Sequence, residues 1–155
     1  MAGKGTELQR TFLNFLFCTS GLTTSVIAGD RAATSTTTTL WVALHTNDPG
    51  NAGNQTTNEV AYTGYARIAT QRTGTAGGWV ISTTFSPCSV FPTSAITFPQ
   101  CTTASAVVIT NWSVGFSSAT GTTTGLFYTG TVTPNINLGA SVTPSLTTGT
   151  ACTED

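Results

Sequence analysis

Charge is what this chain has least of. Its 155 residues hold 5 Lys+Arg, 6 Asp+Glu and 1 His, so charged side chains make up 7% and the net charge is -1. A typical soluble domain is about a quarter charged. So few cations exclude nucleic-acid binding, which needs a basic footprint to neutralise phosphates. A charge-driven disordered chain is excluded too, because 39% of the residues are apolar and can collapse into a core. No run approaches the roughly 18 uninterrupted apolar residues that span a bilayer, so no contact with a membrane interior is expected. No apolar heptad is sustained, which excludes a coiled-coil stalk, and no long-period repeat suggests a solenoid or propeller. Cys18, Cys88, Cys101 and Cys152 show neither a C-x-x-C spacing nor a Cys/His cluster, so a zinc site is not expected. Glu7 interrupts the basic stretch of Lys4 and Arg10, and Phe17 before Cys18 spoils a lipoprotein cleavage site. The expectation is a soluble chain without a secretory leader.

What the chain has is hydroxyl: 36 Thr and 13 Ser, nearly a third of the residues. Thr favours strands over helices. One helix is nevertheless predicted at the start. Thr6-Glu7-Leu8-Gln9 is a capping-box pattern, and Leu8, Phe12, Phe15 and Leu16 follow at i, i+4, i+7 and i+8 as one apolar stripe. Gly21 is the expected stop. That stripe is expected to be buried, either on the chain's own strands or as an interface with a neighbouring protein.

After Gly21 the pattern turns to short strands. A Thr tract from Ala32 leads into Leu40-Trp41-Val42-Ala43-Leu44-His45, apolar on both faces and ended by the turn Asn47-Asp48-Pro49-Gly50. Further strands are predicted at Tyr65–Gln71, Trp79–Phe85, Ala95–Phe98, Ala106–Phe116, Leu126–Val132 and Ser141–Thr147. Asn51 to Asn58 reads as a polar loop. The fold class expected is mainly β, an antiparallel β-sandwich or jelly roll preceded by one short N-terminal α-helix. It is read as a single domain, with a helix arm over 1–21, the sandwich over 32–147 and a C-terminal tail over 148–155.

Catalysis needs titratable groups brought together, and between Gly21 and Ala151 these are His45, Asp30, Asp48, Glu59, Arg31, Arg67 and Arg72. His45 and Asp48 lie close in sequence, but no Gly-x-Ser-x-Gly nucleophile accompanies them. The plainer reading is that His45 closes a strand and Asp48 bonds the turn backbone. Asp48 with Glu59 could form a glycosidase pair only if the loop between them folded back. Gly74, Gly77 and Gly78 precede a strand instead of opening a helix, so they form no phosphate cradle. Asn47, Asp48, Asn51 and Asn54 supply one carboxylate between them, too little for more than a weak calcium site. Trp41, Trp79 and Trp112 fall in strands, where packing explains them. No catalytic residue, cofactor or metal is assigned. Cys88 and Cys101 flank a short connection that a disulfide could close, against the alternative of two buried thiols.

The order of elements carries a resemblance. A helix leads into Thr39-Leu40-Trp41-Val42-Ala43-Leu44-His45-Thr46-Asn47-Asp48-Pro49-Gly50, followed by Glu59-Val60 and Gly64-Tyr65-Ala66-Arg67. Then come Phe98-Pro99-Gln100, Trp112-Ser113-Val114-Gly115-Phe116 and Gly125-Leu126-Phe127-Tyr128-Thr129-Gly130. From about Leu8 to Leu146 the chain resembles a family of small tailed-bacteriophage structural proteins, tail-fibre-like or head-decoration. The resemblance implies a virion component without catalysis and does not locate it on the particle; the outer surface of the phage particle is the expected place. The expected function is a capsid decoration (cement) protein, a homo-oligomer and preferably a trimer, bridging subunits of the major capsid protein. The alternative is a tail or neck appendage with a host-adsorption role, partnered by tail or neck proteins.

Overall fold

The computed structural model describes residues 5–18, 39–73, 76–83, 87–103, 106–116, 118 and 125–154. The fold is mainly β with antiparallel sheets and one short N-terminal helix. In chain order the elements are α1 (Thr6–Phe17), β1 (Thr39–His45), β2 (Ile68–Gln71), β3 (Trp79–Ile81), β4 (Cys88–Pro92), β5 (Ile96–Thr97), β6 (Val108–Gly115), β7 (Leu126–Asn137), β8 (Ser145–Leu146) and β9 (Cys152–Glu154). They fall into two compact units: a helical unit of Met1–Thr39, Thr70–Ala95 and Thr147–Asp155, and a sheet unit of Leu40–Ala69 and Ile96–Leu146.

In the helical unit α1 lies against the three-stranded antiparallel sheet β3-β4-β9. The helix starts one residue earlier than the capping box implies. Gly5 is the N-cap, and its carbonyl accepts from the amides of Leu8 (2.9 Å) and Gln9 (3.1 Å), with no side-chain cap. The helix ends at Phe17, and the stop expected at Gly21 lies outside the described residues. Its buried stripe is Gln9, Leu13 and Phe17, not Leu8, Phe12, Phe15 and Leu16. Leu8 and Phe12 are each 43% exposed, and Phe15 and Leu16 are half-buried. Phe12-Leu13-Asn14-Phe15-Leu16-Phe17 offers two adjacent apolar stripes, and periodicity cannot rank them. The fit against Trp79 does, because its ring sits 4.9 Å from that of Phe17 and its indole N–H donates to Thr70 Oγ1 at 2.9 Å. Arg72 then closes the helix end. Its Nε donates to the Leu16 carbonyl at 2.8 Å and its Nη2 to the Phe15 carbonyl, a cation where the helix leaves carbonyls unpaired.

The sheet unit is built on β1, β6 and β7, with β2 bordering β1 in the order β2-β1-β6-β7. β1 pairs antiparallel with β6 from Trp41↔Gly115 to His45↔Asn111. Four consecutive residues, Val42 to His45, are buried, so both faces of β1 are covered, as its unbroken apolar run predicted. β5 and β8 form a two-stranded antiparallel pair. The core gathers Leu40, Val42, Leu44, Phe98, Ile109, Trp112 and Val114.

Two strands escape the sequence pattern. β4 runs from Cys88 to Pro92, between the strands predicted at Trp79–Phe85 and Ala95–Phe98, and β9 falls in what reads as a C-terminal tail. β7 runs beyond the predicted Val132 to Asn137 through Pro134, which an edge strand tolerates because one side needs no ladder donor. The Thr tract over 32–38 lies outside the described residues.

Candidate functional site

The polar loop after β1 brings two carboxylates, Asp48 and Glu59, together with the amide side chains of Asn47, Asn51, Asn54, Gln55 and Asn58. It leaves at Thr46 and returns at Glu59, where His45 and Glu59 form an antiparallel bridge. The Thr46 amide donates to the Asn58 carbonyl and the Val60 amide to the Leu44 carbonyl, both at 2.9 Å. Within the loop the side chains turn back on the backbone. Asp48 Oδ1 accepts from the Gly50 amide at 3.0 Å, Asn54 Oδ1 from the Thr56 amide at 2.8 Å, and Asn58 Nδ2 donates to the Asp48 carbonyl at 3.1 Å. The first two are Asx-type bonds, the local competitors of regular structure, and the third ties the two arms of the loop together. Asn47, Asp48, Asn51, Ala52 and Asn58 remain exposed at the tip.

Beneath the tip, Gln55 is fully buried and its Nε2 donates to the Trp41 carbonyl at 2.8 Å. Gly115 makes room for it: a Cβ there would stand 2.6 Å from Gln55 Cδ and Oε1. Beside Gln55 sits a bidentate ion pair. Arg67 Nε meets Glu59 Oε1 at 2.7 Å and Arg67 Nη2 meets Oε2 at 2.8 Å, with the Arg67 side chain fully buried and that of Glu59 8% exposed. This fork geometry is the strong form of a charge-assisted bond. The Tyr65 hydroxyl joins it, donating to Glu59 Oε1 at 3.0 Å and accepting from the Leu44 amide at 3.1 Å. Burial first, then the neighbouring carboxylate, pushes the Tyr65 phenol far above its ordinary value. Glu59, Tyr65 and Arg67 are drawn from two motifs of the resemblance, and Gly64 with φ 96 makes the turn that brings Tyr65 and Arg67 round.

His45 is fully buried on the same strand. Its Nδ1 lies 2.9 Å from the Thr57 carbonyl and its Nε2 2.7 Å from Ser113 Oγ. A carbonyl can only accept, so Nδ1 carries the proton and Nε2 accepts from the Ser113 hydroxyl. Burial lowers the His45 pKa below 6.5, overcoming the Thr57 bond and the Glu59 charge that favour the cation. Ser113 stands in the sequence only as a letter of the Trp112–Phe116 motif, and the β6 register brings it to His45. A Ser–His contact resembles a nucleophile with its base, but Ser113 and His45 are both 0% exposed, so no substrate atom reaches the hydroxyl in this arrangement. The orienting partner is a backbone carbonyl in place of a carboxylate. The pair locks the loop to the sheet.

The other expected residues divide in the same way. Asp48 bonds the turn backbone, as its plainer reading held, and its Oδ1 also takes a 3.4 Å bond from Thr129 Oγ1. Glu59 is held by Arg67 and Tyr65. Of the oxygen donors considered for calcium, those of Asp48 and Asn54 serve the loop backbone, as does Asn47 Oδ1 through the Asp48 amide. Trp79 and Trp112 are buried and Trp41 half-buried in their strands. All four cysteines are buried free thiols. Of the two cysteines considered for a bridge, Cys88 is buried in β4, and Cys101 Sγ donates to the Thr103 carbonyl at 2.9 Å. Burial raises the Cys18 and Cys152 thiols above their ordinary range. None of the described helices is long and apolar enough to cross a membrane.

A β-rich chain whose buried polar groups hold loop to sheet has the construction of a structural module, and the comparison with known families agrees. Residues 24–150 match the family described as podophage GP4 fiber I protein gp80, and the chain belongs to that family. It is a structural protein of a tailed-phage virion, as the resemblance implied. No curated protein matches it.

Proposed function

We propose that this chain is a subunit of a fibre-like appendage on the outer surface of a podophage virion, held by packing against neighbouring tail or neck proteins and performing no catalysis. The observation that carries the reading is the family match over residues 24–150, whose description is that of a fibre protein. Physical chemistry supports it. Hydroxyl-rich strands with 7% charged residues are easily covered by a neighbour, because a buried hydroxyl needs one new hydrogen bond where a buried charge needs a full counter-charge. The exposed tip of the Asn47–Asn58 loop is the part of the sheet unit best suited to host adsorption, because it presents amide and carboxylate groups on a backbone already fixed by its own bonds.

A second reading is capsid decoration, in which copies, preferably trimers, bridge major capsid protein subunits. The absence of any sustained heptad in the sequence favours it, since a stalked fibre commonly has one. Immunogold labelling of intact particles with antibody to this chain separates the two. Gold at the tail is the expected result, and gold over the head shell would replace the fibre reading with decoration. Clearing of cell-wall suspensions by the purified chain would overturn the non-catalytic part of the proposal.

A further inference from the structure

Asp48–Pro49 is the chain's sole Asp–Pro bond, and the loop after β1 holds both of its reacting groups. The Asp48 carbonyl oxygen, which belongs to that bond, accepts from Asn58 Nδ2 at 3.1 Å. Asn58 is itself fixed in place. Its φ of 56 lies in the left-handed region, which residues other than glycine seldom occupy. Its carbonyl accepts from the Thr46 amide at 2.9 Å and the Thr46 hydroxyl at 3.3 Å. Residues held in such backbone conformations cluster where a side chain must be aimed. The Asp48 carboxylate is oriented as well. Among the described residues its hydrogen bonds fall on Oδ1, from the Gly50 amide at 3.0 Å and Thr129 Oγ1 at 3.4 Å, and Oδ2 accepts none. Asp48 is exposed to water, and Pro49 is buried.

We infer that this loop is a self-cleavage site, at which the Asp48 carboxylate breaks the Asp48–Pro49 peptide bond in one acid-promoted reaction of the chain on itself. A carboxylate that attacks its own residue's carbonyl carbon closes a five-membered ring, a favourable case of intramolecular nucleophilic attack. Proline decides which ring forms. In other Asp–X sequences the next backbone nitrogen can attack the side chain and shed its hydrogen, but the Pro49 nitrogen has no hydrogen to shed. Oδ2 adds to the Asp48 carbonyl carbon, and the carbonyl oxygen takes the negative charge that the facing Asn58 Nδ2 stabilises. The Pro49 nitrogen takes a proton from solvent, the C–N bond breaks, and Pro49 leaves as a secondary amine. The cyclic anhydride left on Asp48 takes up one water and opens to a C-terminal aspartic acid. The net change is hydrolysis of one peptide bond. The products stay together, because β1 remains paired with β6 and His45 remains bridged to Glu59. The loop tip is thus opened on a fixed scaffold. The inference does not rest on the fibre assignment, and since each chain reacts once it needs no turnover of any other molecule.

Intact-mass spectrometry of the purified full-length chain, incubated at about pH 5 and about pH 7, tests it. The expected products are Met1–Asp48 and Pro49–Asp155, forming about tenfold or more faster at the lower pH. The native chain cleaves about tenfold or more faster than the same chain unfolded in urea, where Asn58 no longer faces the carbonyl. Asn58→Gly keeps the left-handed φ and deletes the amide. It cleaves about tenfold more slowly than wild type when native, and at the wild-type rate in urea. Asp48→Asn keeps an oxygen for the Gly50 amide and slows cleavage about a hundredfold or more. A native chain that cleaves no faster than the unfolded one overturns the inference. So does an Asp48→Asn variant cut at the wild-type rate, which is the mark of a trace protease. Wild-type cleavage of an Asn58→Gly variant with unchanged far-UV circular dichroism overturns it too. The comparison of native with unfolded wild type needs no substitution, so it decides the matter should a variant fail to fold.

Discussion

Arg67 has a fully buried side chain, and Glu59 is the carboxylate that answers it with two bonds. Removing one member of such a pair leaves an uncompensated buried charge, which costs about 3–5 kcal/mol, whereas replacing both by apolar groups is far milder. Glu59→Ala and Arg67→Met are each expected to lower urea stability by about that amount, and the double change Glu59→Leu with Arg67→Met by less than either. Single variants within about 1 kcal/mol of wild type would mean that the pair behaves as a surface salt bridge. His45 gives a second residue-scale test. Its folded pKa lies below its ordinary 6.5 because burial disfavours the cation, so on acidification the unfolded chain takes up this proton first. Stability from this group is therefore full above about pH 6.5 and is lost as pH falls through the folded pKa. His45 is the chain's 1 histidine, and ordinary carboxylates titrate mainly lower, near about pH 4. Urea midpoints should fall between about pH 6.5 and 5.5 in the wild type and stay level in His45→Gln. A level wild-type profile would contradict the buried neutral imidazole.

At the scale of the element, α1 shows where a sequence pattern stops being sufficient. Its existence was legible from apolar spacing, but which of two stripes turns inward was not, because the choice is made by Trp79, Thr70 and Arg72 far along the chain. Leu13→Ala should cost about 2–5 kcal/mol, and Leu8→Ser should change stability by no more than about 0.5 kcal/mol. Thermal melts that reversed this order would restore the outer stripe as core. The strands divide on similar grounds. β1 and β6 carry long, strongly apolar or alternating runs and were readable to within two residues or so at each end. β4 and β9 are short, contain Cys, Ser or Pro, and exist because each pairs with the other. Their stabilisation is non-local and leaves little trace in either segment.

At the scale of the whole molecule, the mainly β class and the phage structural family were both readable from composition and motif order. The organisation of the polar cluster was not. Glu59, Tyr65 and Arg67 stood out as motif letters, but that they join Gln55 and that Ser113 meets His45 follows from strand register and loop return. The site thus reads as a lock on an exposed loop. That suits a protein that must keep one shape as part of a virion. As a member of this family the chain is a built-in part of the virion. Quantitative mass spectrometry of gradient-purified particles, scaled to the major capsid protein, tests it most directly. The expected result is a fixed number of copies per particle, on the order of a dozen as a symmetric appendage requires. Intact particles that lack the chain altogether would contradict the account.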